Sequence, residues 1–218
     1  MLFRSIVGVS EEITREIKEQ YKFKNVITVK NPLDFKQNSI MAHEAKGLKE
    51  EYILFFGRLE EKIKNISLLI EAYKISKLPK RNIKLLILGD GQDLKMLKSK
   101  AGIDAIVFKP FNNNPFPYIR HAKFSCLTSR FEGFPRVLIE SLSVKTPVLS
   151  VDCPGAREIV KNEHNGLLVE NYNKNALADG MNRLIFDKEL YTKCKQNAQS
   201  SVSELSIHEI AKKWDSLL

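Results

Sequence analysis

Residues 123–142 read KFSCLTSRFEGFPRVLIESL. An apolar run gives way to a turn and then to a helical pattern, which is the signature of a strand, a tight turn and a helix start. Gly133 permits the turn. Pro135 suits the first turn of a helix, because its missing N–H would be unpaired there in any case. The next amides, of Arg136 and Val137, would be free donors at the positive end of the helix dipole, a general anion site. Two carboxylates bracket it, Glu132 in the turn and Glu140 in the helix. Glu140 lies about five residues in, roughly 7.5 Å from the helix start at 1.5 Å per residue. Helical side chains lean toward the N-terminus, so a Glu can reach part of the way back. An acceptor-only carboxylate beside a phosphate suits hydroxyls such as a ribose diol. The same residues also allow a plain i,i+4 surface pair between Arg136 and Glu140, with Glu132 a solvated loop residue.

Working outward, strand and helix patterns alternate. Toward the N-terminus lie YILFFGR (52–58), apolar on both faces as parallel strands are, then the charged segment LEEKIK (59–64), expected as a loop. Asn65 is placed to cap the amphipathic helix ISLLIEAYKIS (66–76). IKLLILGDGQ (83–92) gives a strand and a GDG turn, followed by a helix over 93–101, the strand AIVFKP (105–110), the loop FNNNPFP and a short helix near 118–121. Further upstream, SIVGVS (5–10) and VITVKNP (26–32) read as strands around a helix that Ser10 caps, and 34–51 as a loop or weak helix. Toward the C-terminus come the strand TPVLSV (146–151), a helix start at CPGAREIV with Pro154 in its first turn, the short strand in NGLLVE (165–170), and helices over 173–187 and 188–203. SIHE (206–209) fits a capping box for a last helix through Trp214. Alternation of this kind calls for an α/β fold, a parallel, doubly wound, Rossmann-like sheet with helices on both faces. Ligands of such folds bind outside the carboxyl ends of the strands. Gly57/Arg58, Gly89/Asp90, residues 109–112 and Glu132/Gly133 all fall at such ends.

The chain has 218 residues, 43% of them hydrophobic, enough for one large domain or two small ones. Its apolar runs are too short to span a membrane, and residues 1–10 lack the pattern of a signal peptide. Three cysteines, Cys126, Cys153 and Cys194, lack metal-type spacing and fit a reducing cytoplasm. Lys and Arg outnumber Asp and Glu by 35 to 26, a net charge of +9 that suits an anionic partner such as a nucleotide or an anionic membrane surface. The basic residues are scattered, with no RNA-binding aromatic motif and no zinc finger, so nucleic acid is not an expected partner. The histidines are isolated and there is no Asp-x-Asp pair; no metal is expected.

In order and spacing, VSEEI, NPLDF, FFGRLEEKIKN, LLILGDG, NNNPFPYI, Glu132-x7-Glu140, TPVLSV and EIVKNEHNGLLV resemble the retaining nucleotide-sugar glycosyltransferases of family 4, which have the GT-B architecture. The resemblance covers nearly the whole chain. It implies roles position by position. Arg58 and Lys64 match the basic pair that contacts the donor pyrophosphate, and the amides of Arg136 and Val137 match its helix-terminus contacts. Glu140 matches the ribose-binding residue. Glu132 matches the glutamate placed near the transferred sugar, the catalytic position. Gly133 and Phe134 match the turn packed beside that sugar. The base would lie near Lys109, Pro110 and Phe111, where many relatives have a glycine; Asn65 replaces another common glycine. The implied donor is a UDP-sugar, with a GDP-sugar as second choice, used without a cofactor or bound metal.

GT-B enzymes place the active site between two Rossmann-like domains. Under the resemblance, residues 1–218 form one donor-binding domain, with 1–22 like the interdomain crossover and 204–218 like the helix that braces the acceptor domain. The acceptor domain itself has no counterpart in the sequence. Two classes of function follow. The first is the donor half of a transferase that passes a sugar to a glycan or lipid-linked acceptor of the cell-surface polysaccharide type, in the cytoplasm or at the inner face of the membrane, with the acceptor domain or a partner chain. The second is a stand-alone nucleotide or nucleotide-sugar binding module. The GT-B sugar epimerases are a third reading, which FEGFPRVLIE disfavours.

Overall fold

The computed structural model describes residues 6–44 and 47–217; Ser5 of the first expected strand and Leu218 of the expected bracing segment lie outside them. The chain opens with β1 (Ile6–Gly8), α1 (Glu11–Tyr21) and β2 (Val26–Thr28), the two strands pairing in parallel. Ser10 Oγ caps α1 by accepting from Ile13 N–H at 3.2 Å. The N–H groups of Glu11 and Glu12 both donate to the carboxylate of Glu158, at 3.1 and 3.0 Å.

The following elements are α2 (Phe35–Met41), β3 (Tyr52–Phe56), α3 (Glu61–Lys64), α4 (Ile66–Ile75), β4 (Lys84–Leu88), α5 (Leu94–Ala101), β5 (Ile106–Lys109) and α6 (Phe116–His121). Then come β6 (Ser125–Leu127), α7 (Arg136–Ser143), β7 (Val148–Val151), α8 (Pro154–Arg157), β8 (Gly166–Val169), α9 (Lys174–Phe186), α10 (Lys188–Asn197) and α11 (Ile207–Asp215). Strands β3 to β8 form one six-stranded sheet in the order β5-β4-β3-β6-β7-β8, and every pairing is parallel. The order therefore reverses between β3 and β6.

Side chains alternate across this sheet with period two. Ile53, Phe55, Leu85, Ile87, Leu149 and Val151 share one core with Leu69 and Tyr73 of α4, Leu97 of α5 and Met181 of α9. On the opposite face Tyr52, Leu54, Phe56, Leu86 and Leu88 pack with Phe116 and Ile119 of α6, while Leu127 and Val148 pack with Leu138, Ile139 and Leu142 of α7 and with Ile210 of α11. Burial on both faces is why YILFF carries no polar residue. Among the described residues, no helix is long and apolar enough to cross a membrane.

Several local expectations are corrected. Residues 59–64 are not all loop, because 61–64 make α3. The segment 34–51 contains a formed helix, α2, whose N-cap Asp34 accepts from Gln37 N–H at 2.9 Å. Asn65 does not cap α4 with its side chain; it sits in the left-handed region at φ 48°, and the carboxylate of Glu61 receives Ser67 N–H at 3.0 Å instead. Pro135 lies one residue before α7 in an extended conformation. Its fixed φ still serves there, since its carbonyl receives Leu138 N–H at 3.1 Å and closes the first turn. The helix expected over 188–203 stops at Asn197, and a 3-10 segment, Ser200–Leu205, follows. Ser206 caps α11 through Glu209 N–H at 3.3 Å, but Glu209 turns to Lys212, so the reciprocal half of the capping box is missing.

Candidate functional site

The carboxyl ends of β3 to β6 open into a cleft of about 710 Å³, lined by Phe56, Gly57, Arg58, Leu88, Asp90, Phe111, Asn112, Asn113, Pro115, Phe116, Val137 and Glu140. An adjoining cavity of about 380 Å³ shares Phe56, Gly57, Arg58 and Val137 with it and adds Glu60, Ile63 and Lys64. Both lie at the reversal of strand order, where loops from β3 and β6 diverge to opposite sides and leave a crevice.

The ends of β3 and β4 are zipped together by backbone. Gly57 N–H donates to Leu88 C=O at 3.0 Å, Leu59 N–H to Asp90 C=O at 2.9 Å, and Asp93 N–H to Leu59 C=O at 3.3 Å. A Cβ on Gly89 would stand 1.9 Å from Gly57 O, and one on Gly91 2.2 Å from Leu59 O. The GDG turn thus has two glycines because backbone lies against backbone. This zipper presents Arg58 at the cleft, exposed and unpaired with any carboxylate of the described residues. Asp93 Oδ2 also accepts Glu61 N–H at 2.7 Å and so fixes the start of α3, the helix that carries Lys64.

On the β4–β5 side, Asp90 Oδ2 accepts the N–H of Phe111 at 2.7 Å. This bond sets the course of the loop after β5 and leaves Phe111 65% exposed over the cleft. Of the three residues expected near a base, only Phe111 lines the cleft. Lys109 spends its carbonyl on Gly89 N–H at 3.0 Å and lays its ammonium over the Tyr118 ring, 5.7 Å from the centroid. Pro110 is exposed beside it.

On the β6 side, the N–H groups of Arg136 and Val137 precede the first closed turn of α7, and Val137 borders both cavities. Glu140 lines the main cleft with its side chain only 18% exposed, 3.6 Å from Arg136 Nη2. The i,i+4 contact with Arg136 therefore exists, but Glu140 is largely buried at the cleft, and Glu132 is not the solvated loop residue of the plain surface reading, since its side chain is 15% exposed and paired with Lys64. Burial holds the Glu140 carboxyl above its ordinary range, with the Arg136 charge pulling weakly the other way.

Glu132 faces Lys64. The ammonium lies 2.6 Å from Glu132 Oε1, and the same oxygen accepts Ser129 Oγ–H at 2.6 Å. Gly133 turns a bare Cα toward α1: a Cβ there would come 2.8 Å from Ile13 Cδ1. Phe134 is buried beneath the turn, in the apolar cluster of Leu33 and Leu138, so it offers the cleft edge only backbone. Among the described residues, no three His, Cys, Asp or Glu side chains gather into a metal-sized cluster.

Together the two cavities offer the cations of Arg58 and Lys64, two amides at the start of α7, the largely buried carboxylate of Glu140 and an apolar wall with the exposed ring of Phe111. The sequence places Asp90 and Asn112 at ligand-facing strand ends without giving them a role, and it misses Asn113 and the apolar wall. The signal for Asp90 was its place in a GDG turn at a strand end.

A family model described as glycosyl transferases group 1 matches residues 36–201, more than half of the chain. A 4-alpha-N-acetylgalactosaminyltransferase of Campylobacter jejuni, named for the substrate N-acetylgalactosamine-N,N'-diacetylbacillosaminyl-diphospho-undecaprenol, is 35% identical over 187 residues, 84% of this chain and 50% of the relative. A second C. jejuni protein, an alpha-1,4-N-acetyl-D-galactosaminyltransferase named for a diNAcBac-PP-undecaprenol-linked substrate, is 30% identical over 219 residues, 98% of this chain and 59% of the relative. The chain therefore spans between 50% and 59% of the length of these curated relatives. In fold, it is similar to HepE of Anabaena in complex with UDP and glucose, with a TM-score of 0.83 at 19% identity, over 98% of this chain and 62% of that one.

Proposed function

This chain belongs to the glycosyl transferases of group 1, and from that premise we propose that it is the donor-binding domain of a retaining, family 4 enzyme. The enzyme transfers a sugar from a nucleoside-diphosphate sugar to a glycan or lipid-linked acceptor. One observation carries the reading: Arg58, the amide end of α7 and the buried Glu140 converge on a single cleft at the strand-order reversal, with Lys64 adjoining. In this assignment Glu140 accepts hydrogen bonds from the ribose diol. The diphosphate lies between Arg58, Lys64 and the N–H groups of Arg136 and Val137. The base lies along the wall that ends in Phe111.

The chemistry fits those groups. When the bond between the sugar's anomeric carbon and the diphosphate oxygen breaks, the electron pair stays with the oxygen. Charge then builds on the leaving diphosphate. Fixed cations and preoriented amides stabilise that charge without reorganising, a role that needs no protein-bound metal. Glu132 stands at the same edge as the acceptor-type group nearest the transferred sugar. A uridine donor is favoured by the likeness to HepE, whose structure holds UDP. A lipid-linked oligosaccharide acceptor is favoured by the two undecaprenol-linked substrates in the relatives' names, and a net charge of +9 suits work at an anionic membrane face. Residues 1–22 and 204–218 would join this domain to an acceptor domain.

Calorimetric titration with UDP, GDP and ADP, with and without magnesium, tests the assignment. Saturable binding of one of them without magnesium, lost in Glu140→Ala, is the expected result. No binding to any, or equal affinity in wild type and Glu140→Ala, would overturn the ribose assignment.

A further inference from the structure

Thr128 and Arg130 hold the segment that carries Lys64 through three hydrogen bonds and an ion pair. Arg130 N–H donates to Ile63 C=O at 2.9 Å. Thr128 Oγ–H donates to Lys64 C=O, also at 2.9 Å. The Arg130 guanidinium donates from Nη2 to Asn65 Oδ1 at 2.9 Å, stands 3.9 Å from the Glu61 carboxylate and lies 5.5 Å from the centre of the Tyr172 ring. We propose that Arg130 is a positioning residue for the diphosphate end of the cleft, acting through Asn65 and Glu61 to set where Lys64 Nζ stands. The proposal rests on the reading of Lys64 as a donor-phosphate ligand.

The geometry explains why a brace is needed. Lys64 is the last residue of a four-residue helix, and a helix that short has almost no stability of its own. The turn that ends it is made by Asn65 at φ 48°, a left-handed conformation that asparagine tolerates but that its backbone does not favour. Asn65 is 5% exposed, so its amide oxygen needs a donor, and Arg130 supplies a charged one. The same guanidinium faces Glu61, whose N–H is held by Asp93 and whose carboxylate holds the start of α4 through Ser67 N–H. One side chain thus ties together the start of α3, its end and the start of α4. Arg130 borders neither cavity, and its fork is engaged by Asn65, Glu61 and Tyr172, so it is placed to act through other residues and not on the ligand itself.

The test uses Arg130→Met, which keeps the stem and removes the fork, and Asn65→Gly, which keeps the left-handed turn and removes the acceptor. Each is made on the wild-type and Lys64→Ala backgrounds and titrated with UDP and with uridine. The expected loss for UDP is about tenfold in either variant, equivalent to one strong hydrogen bond made indirectly. Uridine affinity should change by about twofold at most, and neither variant should weaken UDP further once Lys64 is absent. Asn65→Asp, which retains an acceptor, should rescue. Equal losses with and without Lys64, equal losses for UDP and uridine, or no loss at all would overturn the proposal. Crystal structures of the wild type and Arg130→Met give a readout free of nucleotide: the Lys64–Glu132 contact should open in the variant. If the wild type binds no nucleoside diphosphate, the donor reading falls while this comparison still decides the brace, and an unchanged contact sinks it.

Discussion

Lys64 and Glu132 lie 68 positions apart in sequence, yet the ammonium of one sits 2.6 Å from the carboxylate of the other at the edge of the cleft. The cation assigned to phosphate is thus engaged by the carboxylate assigned to the sugar. A diphosphate must compete with Glu132 for Lys64. Glu132→Gln should therefore tighten binding of a nucleoside diphosphate, by about threefold for a partly exposed pair whose side chains are 24% and 15% exposed, while lowering turnover of the complete enzyme. Lys64→Ala should weaken a nucleoside diphosphate more than the bare nucleoside. Isothermal titration of the variants measures both effects, and a uniform loss in Lys64→Ala would argue against phosphate contact.

Glu140 brings a pH dependence. Burial raises its folded-state pKa, so folding disfavours its charged form. The ionised group detracts from stability above the raised folded value, the penalty shrinks as pH falls through that value, and it is gone below the ordinary carboxylate range. Glu140→Gln should consequently be no less stable than wild type at pH 7 in chemical denaturation. Nucleotide affinity should run the other way. An ionised acceptor is needed for ribose, so binding should weaken on acidification starting above the ordinary carboxylate range of about 4, and Glu140→Gln should bind weakly with a flat profile.

Asp90 holds the loop that aims Phe111, so Asp90→Ala should damage recognition of the base end. The expected loss is about tenfold for nucleoside and diphosphate alike, the strength of one charge-assisted bond. This contrasts with the phosphate-selective loss expected for Lys64→Ala. Competition titrations with uridine and UDP separate the two.

The Glu158 carboxylate receives two N–H groups at the start of α1. Replacing it by Ala leaves those donors without their partner at the positive end of the helix dipole. A loss of about 1–2 kcal/mol is expected in urea denaturation, typical of a lost N-terminal cap. Glu158→Gln should recover part of it.

All three thiols are buried. Burial pushes Cys153 and Cys194 up to about 11 and Cys126 higher still. The reactive thiolate is therefore scarce, and a maleimide or disulfide reagent at pH 8 should label native protein slowly but all three sites in denaturant. Rapid stoichiometric labelling of the folded chain would contradict the packing.

The sheet was legible because its strands are buried on both faces: YILFF and LLIL are continuous apolar runs ending at Gly57 and Gly89, and VLSV departs from that only at the buried Ser150. The helix start at Arg136 was legible from Gly133 and Pro135, although Pro135 stands one position earlier than its propensity suggested. What was not legible follows from tertiary contact. Residues 61–64 carry too few positions to show a helical period, and α3 exists because Asp93, Thr128 and Arg130 hold it. Asn65 looked like a cap because asparagine caps helices, but its partner is an arginine from the far side of the site. The base end was half legible: Phe111 falls in a loop at a strand end, whereas the bond from its amide to Asp90 depends on β4 and β5 being neighbours.

The cleft and its adjoining cavity draw their groups from different parts of the chain, with the aromatic wall from the β4 and β5 loops, the cations from the segment after β3 and the Glu140 carboxylate from α7. Each side has an anchor of its own, the Asp90–Phe111 bond on one and the Arg130 brace on the other, while Asp90 and Asp93 also tie the β4 loop to Leu59 and Glu61 of the β3 loop. For protein engineering this leaves residues 111–113 open to change only while Asp90, which serves both loops, is kept. If the donor reading holds, randomising residues 111–113 around a fixed Asp90 should change the preference among UDP, GDP and ADP while leaving the phosphate end intact, and variants with a changed preference should be recoverable from small libraries.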